Sequence, residues 1–198
     1  MIIHDIEQGT DEWHAIREGK LTASHGQEIS ANGKGLETYI YKMLSEKYSS
    51  AERENYTNEH MERGNELEPI ARSMYEMQES VSVDEVGFVE LDEYTGASPD
   101  GFVGEDGGIE IKCHADTKHF RLVLNGEKEI ESKYKWQCQM NMLITGRKWW
   151  DYVAYNPNFE QSLVIFRIEA DEEKHEKLKK GLETGRKLIK EINKQYGK

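Results

Sequence analysis

The chain has 198 residues, the length of one domain with a sizeable core. Acids outnumber bases 38 to 26, for a formal charge of -12, which argues against a protein that coats nucleic acid nonspecifically. Its two cysteines, Cys113 and Cys138, have no metal spacing and read as buried thiols of an intracellular protein, which excludes a four-cysteine iron–sulfur staple. The opening MIIHDIEQGT is acidic and mixed, unlike a signal peptide, and no apolar run approaches a membrane span.

In chain order, residues 1–9 read as an extended strand. Thr10 is placed to cap a short helix, with Asp11 and Glu12 in its favourable first turn and Gly19 as its stop. Thr22 or Ser24 is placed to cap a second short helix. There cap hydroxyls, free amides and Arg17 could form an anion pocket. Residues 31–35 read as loop. Leu36, Ile40, Met43 and Leu44 predict a helix over 36–48, and a polar connector follows over 49–57. A further helical stretch covers 58–79, with Ile70, Met74 and Met77 as its apolar stripe. Pro69 should kink it or begin a new helix. Glu66 reads as a solvated charge.

Alternation over residues 86–91 predicts a strand. The next stretch, SPDGFVGEDGGIEIKC from Ser98 to Cys113, carries the chemistry. It reads as a hairpin whose strands, 99–103 and 109–113, flank a five-residue loop, Gly104 to Gly108. Val103 then faces Ile109, and Asp100 sits opposite Lys112. Asp100, Glu110 and Lys112 share one face, while Ile109 and Ile111 point into a core. Two carboxylates and an ammonium on one face suit a hard cation and a phosphate. A solvated hairpin is the plainer reading of so loose a spacing taken alone.

His114 to Phe120 read as a loop near a polyanion rather than a zinc site. Residues 129–145 predict a helix with Trp136, Met140, Leu143 and Ile144 on its core face and Gly146 as its stop. Gln137 and Asn141 stand four apart on an adjoining face, and Gln139 lies on another. The runs 149–156 and 162–168 read as strands joined by a turn at Pro157 and Asn158. Their aromatics either stack on bases or fill core and interfaces. Residues 171–196 form an amphipathic helix with Leu178, Leu182, Ile189 and Ile192 inside. The whole is one α/β domain: a helical part over 1–80, a sheet core over 81–170 and a last helix over 171–198.

Four blocks together resemble the lambda-exonuclease, or YqaJ-type viral recombinase, family of the PD-(D/E)XK nuclease superfamily. They are QGTDEWHAIREGKLTAS (Gln8 to Ser24), RGNELEPIAR (Arg63 to Arg72), SPDG with IEIKC, and KYKWQCQMNMLITG (Lys133 to Gly146). The resemblance implies a restriction-endonuclease-like core with a central mixed sheet flanked by helices. It implies a magnesium-dependent 5′-to-3′ exonuclease acting on one strand of duplex DNA, with two Mg2+ ions per site and Mn2+ able to substitute. Asp100, Glu110 and the Ile111 carbonyl would hold the metal. Lys112 would position or deprotonate water, a basic role that needs a lowered pKa. Glu68 and Gln137 would complete the catalytic set, and Arg17 and Ser24 would grip the 5′-phosphate. A ring-shaped homotrimer, a single-strand annealing partner and a bacterial cytoplasm reached through a phage or prophage are implied in the same way. A site-directed endonuclease of the superfamily and a non-catalytic DNA-end-binding protein are the rival readings.

Overall fold

The computed structural model describes residues 1–50 and 59–196. The expected connector over 49–57 lies largely outside these residues. Seven helices and nine strands are described. The strands are β1 (Ile2–His4), β2 (Leu21–Thr22), β3 (Val83–Asp84), β4 (Phe88–Asp92), β5 (Thr95–Ala97), β6 (Gly101–Val103), β7 (Gly107–Cys113), β8 (Trp149–Tyr155) and β9 (Leu163–Glu169). The helices are α1 (Asp11–Arg17), α2 (Gly26–Ala31), α3 (Lys34–Tyr48), α4 (Glu59–Glu79), α5 (Asp116–Asn125), α6 (Ser132–Thr145) and α7 (Glu172–Tyr196). They build an α/β fold with two mixed sheets, ordered β1-β4-β5-β2 and β3-β6-β7-β8-β9.

The five-stranded sheet carries the hairpin. β7 runs parallel to β8 over its whole length, from Gly107↔Trp149 to Cys113↔Tyr155, and antiparallel to β6. Ile109 and Ile111 pack with Val153 and Tyr155 against Ala71 and Tyr75 of α4. Glu110 and Lys112 therefore point to the opposite face, on which α6 lies. α6 is buried almost all round, from Cys138 to Met142 and again at Ile144. α2 packs on it so closely that a Cβ at Gly26 would stand 2.7 Å from the Trp136 carbonyl oxygen.

Several expectations need correcting. The hairpin loop has three residues, Gly104 to Asp106, and Val103 pairs with Gly107 rather than Ile109. Gly107 and Gly108 are strand residues, because Trp149 and Trp150 lie across them: a Cβ there would meet those rings at 2.0 and 2.4 Å. The slip is two residues, so the shared face survives, but Asp100 falls level with Glu110 instead of Lys112. α4 is one helix through Pro69, and no new helix begins there. The carbonyl that Pro69 cannot bond belongs to the exposed Asn65, where water can satisfy it. The core stripe of α4 is Leu67, Ala71, Met74 and Tyr75, whereas Ile70 and Met77 are 48% and 80% exposed. The stretch expected as loop after His114 holds α5, whose His119 and Leu122 are buried. Trp150, Tyr152 and Tyr155 fill the core, and Trp149 packs against it.

Candidate active site

Asp100 is placed by the segment before β6, and the N-terminal block holds that segment. Gln8 Nε2 donates to the carbonyls of Val86 (2.7 Å) and Pro99 (2.9 Å). Trp13 Nε1 donates to the Gly87 carbonyl (3.1 Å) and to Ser98 Oγ (2.9 Å). Thr10 Oγ1 accepts from the Trp13 amide and so starts α1, the helix that carries Trp13 and Arg17. Asp100 Oδ2 then accepts from the Ile111 amide at 2.6 Å, which locks it across the hairpin.

Lys112 is the centre of the site. Its ammonium donates to the Ile111 carbonyl at 3.0 Å, pairs with Glu110 Oε1 and stands 4.0 Å from Asp100 Oδ2. Tyr134 presents its ring 5.5 Å from the same nitrogen. Glu110 is fully buried, not solvent-facing as a hairpin charge would be. Gln137 Nε2 donates to its Oε1 at 2.6 Å, and Asn141 Nδ2 to its Oε2 at 3.4 Å. Gln139 bonds the Glu169 carbonyl and the Asp171 amide instead, so it ties α6 to the start of α7.

The electrostatics follow from burial and crowding. Burial above all pushes the Glu110 carboxyl up, to about 8; Lys112 pulls it back and Asp100 adds to the rise. Burial and then Asp100 raise Glu68 to about 7, against the pull of Arg72. Desolvation works to strip Lys112 of its proton, but Glu110 and Asp100 outweigh it and hold its pKa above the ordinary lysine value. With Glu110 and Asp100 as its partners, Lys112 keeps its proton. Glu68 feels Asp100 and Lys112, while its carboxylate bonds Arg72 at 2.9 Å.

The donor set tests whether a hard cation fits. Among the described residues no three His, Cys, Asp or Glu side chains form a ready cage. Two carboxylates and one carbonyl do converge on a single point, now held by the Lys112 ammonium. All are oxygen donors, and magnesium binds through one or two carboxylates plus substrate phosphate and water. The residues fit such an ion.

Arg17 and Ser24 are not joined directly. Arg17 Nη1 donates to Ser98 Oγ at 2.6 Å, and its guanidinium stacks 4.1 Å over the Trp13 ring. Burial lowers it to about 10, countered by Tyr39. Ser24 is exposed and shares a 3.2 Å contact with Thr22 Oγ1. Neither hydroxyl caps a helix: Thr22 precedes a 3-10 turn without a side-chain bond, and Ser24 lies inside it. Tyr39, stacked on His25 at 3.7 Å, completes the surroundings. Sequence reasoning missed Tyr39 and His25. It placed Asn141 beside Gln137 but gave it no role; its spacing of four on one helix face was the available signal.

The two mixed sheets and this carboxylate–lysine hairpin define a protein of the restriction-endonuclease-like class. The chain belongs to the family described as the YqaJ-like viral recombinase domain, which matches residues 12–148. It is similar to an alkaline exonuclease, LHK-Exo, from Laribacter hongkongensis, at 31% identity. That likeness covers 95% of this chain and 98% of that one, with a TM-score of 0.80, and the same figures hold for LHK-Exo in complex with dAMP. A phage-related exonuclease from Haemophilus somnus 129PT shares the fold at 17% identity, covering 89% and 96% of the two chains with a TM-score of 0.71. A comparison with curated proteins returned no match. Family and likeness together support a recombination-related exonuclease. Among the described residues no helix is long and apolar enough to cross a membrane.

Proposed function

We propose that this protein is a magnesium-dependent 5′-to-3′ exonuclease that degrades one strand of linear duplex DNA. The observation that carries the reading is the convergence of Asp100, Glu110 and the Ile111 carbonyl on one cation position. Those three groups would hold the metal. When bound, Mg2+ supplies an activated water and neutralises charge building on the phosphate. Lys112, whose ammonium reaches the same oxygens, would orient the attacking water or a phosphoryl oxygen. Gln137 holds the Glu110 carboxylate, and Glu68, paired with Arg72 in this structure, would accept a hydrogen bond from water at the site. Arg17, fixed by Ser98 and Trp13, presents guanidinium N–H groups to a 5′-phosphate, with Ser24 as a second donor. The proposal extends to a homotrimeric ring, a single-strand annealing partner and work in a phage-infected bacterial cytoplasm.

One experiment tests it. Linear duplexes labelled at either end, with a 5′-phosphate or a 5′-hydroxyl, are incubated with and without magnesium beside closed circular DNA. The expected result is magnesium-dependent loss of 5′ label, faster on phosphorylated ends, with the circle spared. Cutting of the circle favours an endonuclease. Binding without cleavage favours an end-binding protein.

A further inference from the structure

Asn141 lies in the middle of α6 with no exposed surface. A primary amide costs free energy in such a place unless it is bonded. Its Oδ1 has no partner among the described residues. Its backbone carbonyl accepts from Thr145 Oγ1 at 2.7 Å, an ordinary helix contact. The side chain's one hydrogen bond among the described residues is the 3.4 Å donation from Nδ2 to Glu110 Oε2. The other carboxylate oxygen is already taken by Gln137 and Lys112.

A buried carboxylate held at one oxygen alone can turn about its last torsion, which is broad. Gln137 and Asn141 stand one helical turn apart and hold the two oxygens separately, which fixes the carboxylate plane. An apolar residue would pack here without an orphaned oxygen, so packing gives no reason for an amide. We infer that Asn141 is a positioning residue: its amide pins Glu110 Oε2 and thereby turns Oε1 toward the cation position. The inference rests on the metal-binding reading above.

Partners of this kind to a ligating group are typically worth about tenfold to a hundredfold in metal affinity. The test uses the full chain, Asn141→Leu, which keeps bulk without a donor, and Asn141→Ser, which keeps a shorter donor with less bulk. The readouts are the magnesium concentration for half-maximal thermal shift without DNA, and separately the KM for duplex DNA.

Asn141→Leu should raise that magnesium concentration roughly tenfold or more, Asn141→Ser by less, and neither should move KM for DNA at saturating magnesium. Equal values for Asn141→Leu and wild type overturn the inference. So does a larger loss in Asn141→Ser than in Asn141→Leu, because packing would then be what matters. If Asn141→Leu does not fold, Asn141→Ser decides alone: a several-fold rise supports the role and an unchanged value overturns it. If the wild type itself shows no magnesium shift, the metal reading fails and takes this inference with it.

Discussion

Lys112 sits where burial favours losing its proton and two carboxylates favour keeping it, and the carboxylates win. Its side chain is 26% exposed, while Glu110 opposite is fully buried. Lys112→Met therefore leaves Asp100 without a counter-charge and Glu110, already pushed up by burial, to take up a proton. Removing one partner of a fully buried pair costs ~3–5 kcal/mol, and partial exposure brings the expected loss here to about 2–3 kcal/mol. Magnesium should restore part of it, because the same oxygens would then meet another cation. Turnover should fall about a hundredfold or more, the worth of one electrostatic stabiliser. Urea melts with EDTA and with magnesium check the first statement, and single-turnover rates the second. A variant as stable as wild type in EDTA would show that the ammonium does not hold the carboxylates. His114 behaves oppositely. Burial, then Lys118 and Lys112, lower its pKa from 6.5 to about 4, and its ring meets the Tyr152 hydroxyl at 2.5 Å. A histidine whose folded pKa is depressed contributes stability above its unfolded pKa and loses it as pH falls through the folded value. The loss should run from pH 6.5 down to about 4. Melting temperatures of His114→Gln across this window should fall less steeply than those of wild type; parallel curves would count against it.

Among the elements, α1 shows how a motif far from the chemistry serves it. Trp13 anchors the connection carrying Ser98 and stacks under Arg17, so one side chain ties the predicted phosphate arginine to the segment that ends in Asp100. Trp13→Phe keeps a ring for Arg17 but deletes both indole bonds, leaving the Gly87 carbonyl without this donor. Loss of about 1–2 kcal/mol is expected from such bonds, read as a lower urea midpoint with an unchanged slope. No change in midpoint would remove Trp13 as a clamp. The face shared by Asp100, Glu110 and Lys112 was legible in the sequence, because strand alternation depends only on parity. The register was not. Glycines 107 and 108 look like turn residues until the tryptophans that cover them, some 40 residues later in the chain, are known. For the same reason the burial of Glu110 was invisible: α6 covers that face through tertiary packing. On α4, two methionines and an isoleucine gave a plausible stripe, yet the small Ala71 and the Tyr75 hydroxyl, bonded to the buried Asp151 at 2.8 Å, decided which side faces in.

At the scale of the whole molecule, charge and function pull against each other. A chain of net charge -12 repels a polyanion at long range, so the proposed hold on DNA has to be local. The cations proposed for that hold, Arg17 and Lys112, are both partly spent on Ser98 and Glu110. Few phosphate contacts mean weak binding that salt weakens further. An enzyme held only by such contacts would leave its substrate between cycles. The proposed ring would keep the DNA by topology instead, since a threaded strand cannot diffuse away sideways. The two modes separate by salt. Digestion is started on long labelled duplex, and excess unlabelled duplex is then added as a trap over a range of sodium chloride concentrations. Enclosure predicts that initiation falls with salt while the length degraded per binding event stays constant. Contact-limited binding predicts that both fall together. Run lengths that shrink in parallel with initiation would sink the ring.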